Sequence, residues 1–80
     1  MLLQQTHINA AMNLSAMGVS FALRNNNYKD DSVNTATYVG MTANGSFVYA
    51  CTYFDEDLDE DADCIVYVYY NNLCKLIADY

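Results

Sequence analysis

Asn44-Gly45 stands between two stretches, Thr35 to Ala43 and Ser46 to Phe54, whose residues follow a period of two. That period belongs to a strand with one face buried, and Asn-Gly is the strongest short hairpin signal. A two-residue turn of that type places both of its residues at positive φ. A second pair of arms, Cys64–Tyr70 and Leu73–Asp79, flanks Asn71-Asn72 and predicts a second hairpin by a weaker form of the same chemistry. The chain has no proline, so nothing bars any of the four arms from one antiparallel sheet.

The register can be carried further. A two-residue turn at Asn44-Gly45 pairs Tyr49 with Gly40, Cys51 with Tyr38 and Tyr53 with Ala36. One face of that hairpin is then Tyr38, Phe47, Tyr49, Cys51 and Tyr53. The same rule at Asn71-Asn72 gathers Ile65, Tyr67, Tyr69, Cys74, Leu76 and Ala78. Both sets are uncharged and rich in aromatics, which assigns them to the core. The opposite face, including Val39, Met41, Val48, Val66 and Val68, is too apolar for a fully solvated sheet, and those five residues form a candidate oligomer face. A swap of the two faces, or a sheet curled over itself, stays open at this stage.

Residues 1–24 read as helix. Ile8, Ala11, Met12, Ser15, Val19, Ala22 and Leu23 recur at steps of three and four, and Arg24 suits a helix C-terminus before Asn25-Asn26-Asn27. Val19, Phe21 and Leu23 also alternate, so a strand over Val19–Leu23 is the competing reading. The helical stripe is small in volume (Ala11, Ala22 and neighbours), which matches large sheet side chains beneath it. The predicted fold class is α+β in a single domain, 1–80. An N-terminal helix packs on a four-stranded antiparallel sheet made of two hairpins (35–54 and 64–79), joined by an acidic connection, 55–63.

That connection dominates the electrostatics. Seven of the ten acidic residues, Asp55, Glu56, Asp57, Asp59, Glu60, Asp61 and Asp63, lie within these nine positions. The remaining three acids and three bases cancel, so the net charge of -7 is the charge of this one segment. Crowded carboxylates repel one another, which makes the run costly unless an outside partner uses it. With so few bases the chain is not expected to bind DNA, RNA or an anionic membrane itself. The sign favours a basic protein surface, and nucleic-acid-binding grooves are among the most basic. In an extended segment every second residue recurs at about 6–7 Å. That spacing would let Asp55, Asp57, Asp59, Asp61 and Asp63 imitate the phosphates of a strand. The bland alternative is a solvated loop that serves solubility.

Other chemistry finds little footing. Asp55, Asp57 and Asp59 have the spacing of the first three ligands of a calcium-binding helix–loop–helix loop. The glycine and bidentate glutamate that complete such a loop are replaced by Glu60 and Val66. His7 is the only histidine and reads as a surface or capping residue. Cys51, Cys64 and Cys74 fall in predicted strands, without zinc-ligand spacing and in an odd number. No catalytic residue, metal or cofactor is therefore expected, and a reducing, cytoplasmic compartment suits the unpaired thiols.

The whole-chain profile is a small protein beginning at Met1, strongly acidic, tyrosine-rich and free of catalytic signatures. It resembles the small acidic phage-encoded inhibitors of bacterial defence, of the anti-CRISPR and DNA-mimic type. The resemblance carries no motif. It implies a non-catalytic inhibitor that occupies the nucleic-acid-binding surface of a CRISPR effector or other defence nuclease in a bacterial host, with the acidic segment as the contact. The charge is too local for mimicry of a whole duplex and suits an acidic plug. The alternative is a small oligomeric structural or regulatory adaptor.

Overall fold

The computed structural model describes residues 3–80 and has the expected α+β architecture, with the sheet in the order β1-β2-β3-β4. The helical region differs in one respect: it is two helices, α1 (Gln5–Met12) and α2 (Ala16–Asn25). Asn13 ends the first by folding its side-chain amide back onto the Asn9 carbonyl at 2.7 Å. Ser15 starts the second, its Oγ accepting the Gly18 N–H at 3.2 Å as an N-cap. The period-3.6 stripe runs through both helices, which hides the break from a periodicity argument. Met1 and Leu2 of the predicted helix lie outside the described residues.

Tyr49 closes that break from the sheet below. Its hydroxyl donates to the Ala11 carbonyl at 2.6 Å and accepts the Leu14 N–H at 2.9 Å. One side chain thus satisfies two backbone groups that the interrupted helix releases. The Val19–Leu23 segment is helical, so the competing strand reading fails. α2 ends with Asn27 in the left-handed conformation (φ 69°), while Tyr28 N–H bonds the Leu23 carbonyl and Asn27 N–H that of Arg24. This is the paired-bond helix stop that asparagine supports almost as well as glycine. No helix among the described residues is long and apolar enough to cross a membrane.

The strands are β1 (Thr35–Met41), β2 (Phe47–Asp55), β3 (Glu60–Tyr70) and β4 (Leu76–Asp79). The turn chemistry departs from expectation at both predicted hairpins. In the first, Gly45 N–H bonds the Thr42 carbonyl and only Gly45 (φ 90°) has positive φ, so the loop is the three residues 43–45. That extra residue shifts the predicted pairing by one. An irregularity between Tyr38 and Gly40 shifts it again, giving Tyr38↔Tyr49 and Ala36↔Cys51. Two single shifts restore the side-chain phase, so Tyr38, Phe47, Tyr49 and Cys51 of the predicted core set survive although their predicted pairings do not, whereas Tyr53, past the end of β1, is only half-buried and stands outside the core.

The second hairpin has no such compensation. Cys74 N–H bonds the Asn71 carbonyl and Asn71 N–H bonds that of Lys75, which makes 72–74 the loop. The pairing becomes Val68↔Ala78 and Tyr70↔Leu76, displaced by an odd number of residues from the prediction. An odd slip turns one strand over. Val66 and Val68 therefore leave the candidate oligomer face: both are fully buried beneath the helices, opposite Tyr49 and Phe47. Ile65 and Tyr67, expected in the core, stand exposed on the helix-free face. The core is thus Ala11, Val19, Ala22 and Leu23 over Phe47, Tyr49, Cys51, Val66, Val68 and Ala78.

Candidate functional site

The acidic segment is not a loop lying on the body. β2 continues to Asp55 and β3 begins at Glu60, with Tyr53↔Ala62, Phe54↔Asp61 and Asp55↔Glu60 in register. β1 starts opposite Thr52, and β4 reaches no further along β3 than Tyr67. These three β2–β3 pairs and the turn beyond them therefore form a two-stranded ribbon that outruns both neighbouring strands. At the usual strand rise the ribbon extends by about 10 Å before the turn. It contributes to an elongated molecule measuring 43 × 23 × 19 Å.

The chain reverses over residues 56–59, and Asp55 organises the turn. Its Oδ1 accepts the N–H groups of Asp57 and Leu58 at 3.0 and 3.3 Å, and Asp59 takes positive φ (53°). Aspartate suits both positions, because a short carboxylate can hold its own backbone and tolerates the left-handed region. The reversal overturns the picture of five carboxylates in line. Asp57 and Asp59 lie in the turn, and Asp61 and Asp63 alone keep the alternation of a strand. What the fold builds is a tip. Glu56, Asp57, Asp59 and Glu60 are exposed there, with Asp61 and Asp63 on the ribbon behind them. Asp55 is half-buried and directly opposite Glu60, a like-charge cross-strand pair that opposes ribbon closure. Two large apolar side chains share the ribbon, Leu58 at 61% exposure and Phe54 at 51%.

A groove of about 470 Å³ adjoins the ribbon. It is lined by Asp30, Asp31, Ser32 and Asn34 of the segment before β1, by Tyr53, Phe54 and Glu56 of the ribbon, and by Tyr80. Asn34 ties the two together by donating from Nδ2 to Asp61 Oδ1 at 3.0 Å. Tyr80 donates to Asp31 at 2.6 Å, and its ring meets that of Tyr28 edge-on at 5.2 Å. Burial, and then the Asp31 hydrogen bond, push the Tyr80 phenol well above its ordinary range. The acidic surface thus extends from the tip to Asp30 and Asp31, two of the three acids that the chain's three bases cancel in the net charge.

Of the remaining candidates, Val39 and Met41 are exposed on the edge strand β1, but Met41 pairs with the buried Phe47 and so leaves the predicted face, while Val48 is half-buried on the helix-free face, paired with Tyr67. All three cysteines are free. His7 has a capping role, its Nδ1 accepting the Gln4 N–H at 3.3 Å. Its Nε2 also lies 3.5 Å from Cys74 Sγ, a pairing across 67 positions that nothing in the local sequence announces. No protein-family model, curated protein or solved structure matches the chain.

Proposed function

We propose that this chain is a non-catalytic binding protein whose acidic ribbon enters a basic, nucleic-acid-binding groove of another protein. By the class resemblance the target is a CRISPR effector or other defence nuclease, which the ribbon keeps from DNA or RNA. The supporting observation is the projection of the ribbon past both flanking strands, with its carboxylates at the tip. A narrow, charged finger reaches into a groove that a loop lying flat on the body could not enter. The exposed Phe54 and Leu58 add apolar contact at the same end. Electrostatic steering accelerates the encounter, and the short-range contacts hold the complex.

Replacing Asp57, Asp59 and Asp61 with Asn tests this reading. Asn keeps the hydrogen-bond acceptors and tolerates positive φ at position 59. Capture from a bacterial lysate on the immobilised native chain should retain nucleic-acid-binding proteins that elute as salt rises, and the triple variant should lose them. Equal capture at equal salt dependence makes the ribbon a solvation device. The exposed Ile65 and Tyr67 beside Val48 favour a second reading, an oligomeric adaptor built on the helix-free face. That reading requires Val48→Asp to abolish assembly and the triple Asn variant to leave it intact.

A further inference from the structure

The sheet ends in β1 on one side and in β4 on the other. β4 is covered, because the side-chain amides of Asn25 and Asn26 donate to the Leu76 and Ala78 carbonyls at 3.1 Å each. β1 has no such cover. Among the described residues, no hydrogen bond from a loop or a side chain reaches the backbone of Thr35–Met41. Strands left open in this way are usually blunted by lysine, proline or an inward-pointing charge. β1 contains none of these, and Thr35, Thr37, Tyr38 and Val39 all favour the extended chain. Its one protective feature is the irregularity between Tyr38 and Gly40, which leaves Thr35 to Tyr38 in regular pairing. Val39 and Met41 add exposed apolar side chains along the same strand.

We propose that β1 is the pairing edge for a second copy of this chain, the two β1 strands running antiparallel across a twofold axis to join both sheets into one. This goes beyond the ribbon reading and does not depend on it. Charge selects the occupant. No residue from Thr35 to Phe54 is charged, so a basic partner is drawn to the ribbon and not to this edge, whereas a second β1 meets it without a like-charge pair. Direction follows from the same electrostatics. The ribbon projects beyond the Thr35 end of β1, so antiparallel pairing sends the two ribbons to opposite ends of the joint sheet. Parallel pairing would set them side by side, where their carboxylates repel. An edge of 7 residues buries less than the roughly 1,200 Å² of a stable interface, which makes the dimer weak and concentration-dependent.

Sedimentation equilibrium on the full chain, with hydrogen exchange read by peptide mass spectrometry, tests the proposal over a concentration series. The native mass should climb from the monomer towards twice that value, and exchange in the β1 peptide should slow severalfold over the same range while β4 is unchanged. Each copy carries -7, so added salt should strengthen the dimer, the opposite of its effect on ribbon binding. Thr37 and Val39 are exposed. Thr37→Lys should abolish the dimer by placing a lysine from each copy at the axis, although the added positive charge lowers the repulsion between whole copies. Val39→Lys, an independent change on the same edge, should do the same. Val48→Asp, on β2 and away from the edge, should leave the dimer intact. The Asp57, Asp59 and Asp61 to Asn variant should also still dimerise, so failure of the ribbon reading and failure of this one are separate results. A native chain that stays monomeric up to millimolar concentration overturns the proposal. So does a dimer that Val48→Asp abolishes and both lysine variants keep, which places the contact on the helix-free face.

Discussion

Single atoms decide much of this fold. Tyr49→Phe removes one hydroxyl but strands both the Ala11 carbonyl and the Leu14 N–H, and it should cost about 2 kcal/mol by urea unfolding. Ser15→Ala deletes the N-cap of α2 at about 1 kcal/mol. Titration offers an independent check. Burial raises Cys51 from an ordinary 9.0 to about 11, and Tyr28, Tyr49, Tyr70 and Tyr80 are all raised above an ordinary 10.0. Each group holds its proton more tightly folded than unfolded. The unfolded state therefore releases protons first as pH rises, and stability falls. The unfolding midpoint should be unaffected by these groups below about pH 9, drop between 9 and 11 as Cys51 titrates, and drop further as the tyrosines follow. Cys51→Ala should make the first descent shallower.

At the level of elements, the sequence displayed existence better than phase. All four strands and the helical region were legible, because period-two and period-3.6 patterns report which residues share a face. The helix break was not, since Asn13 and Ser15 act through side-chain hydrogen bonds that leave the apolar stripe intact. Register was lost at the turns: Asn44-Gly45 and Asn71-Asn72 both sit in three-residue loops, and a β1 irregularity rescued the first hairpin alone. The two edges of the sheet are also treated differently. Asn25 and Asn26 donate from the end of α2 to the Leu76 and Ala78 carbonyls, at 3.1 Å each, and so cover β4. Cys74 holds positive φ (59°) in the second hairpin loop. Cys74→Gly should relieve that strain and stabilise the chain by about 0.5 to 1 kcal/mol in the same urea assay. A loss of stability would show that the His7 contact outweighs the backbone strain.

Across the whole molecule, charge and shape coincide at one end. The residues of the candidate site were legible from their concentration in nine positions, but their arrangement was not. An extended array was expected, and pairing of β2 with β3 folds it into a ribbon, because Tyr53, Phe54 and Ala62 carry the strand pattern into the acidic run. The oligomer face was only partly legible, since the flipped phase of β3 exchanges Val66 and Val68 for Ile65 and Tyr67. If that face mediates assembly, light scattering should find an oligomer for the native chain and a monomer for Val48→Asp. The ribbon claim is met most directly by competition on a purified defence effector. Labelled DNA is bound to the effector and displaced by the native chain or by the Asp57, Asp59 and Asp61 to Asn variant, across a salt series. The Debye length is about 8–10 Å in physiological salt, and each exposed charge pair contributes up to about 1 kcal/mol. The native chain should displace DNA less well as salt rises, and the variant should be roughly 10- to 100-fold weaker at low salt, converging on the native chain at high salt. Equal potency of the two proteins throughout the series would contradict the account.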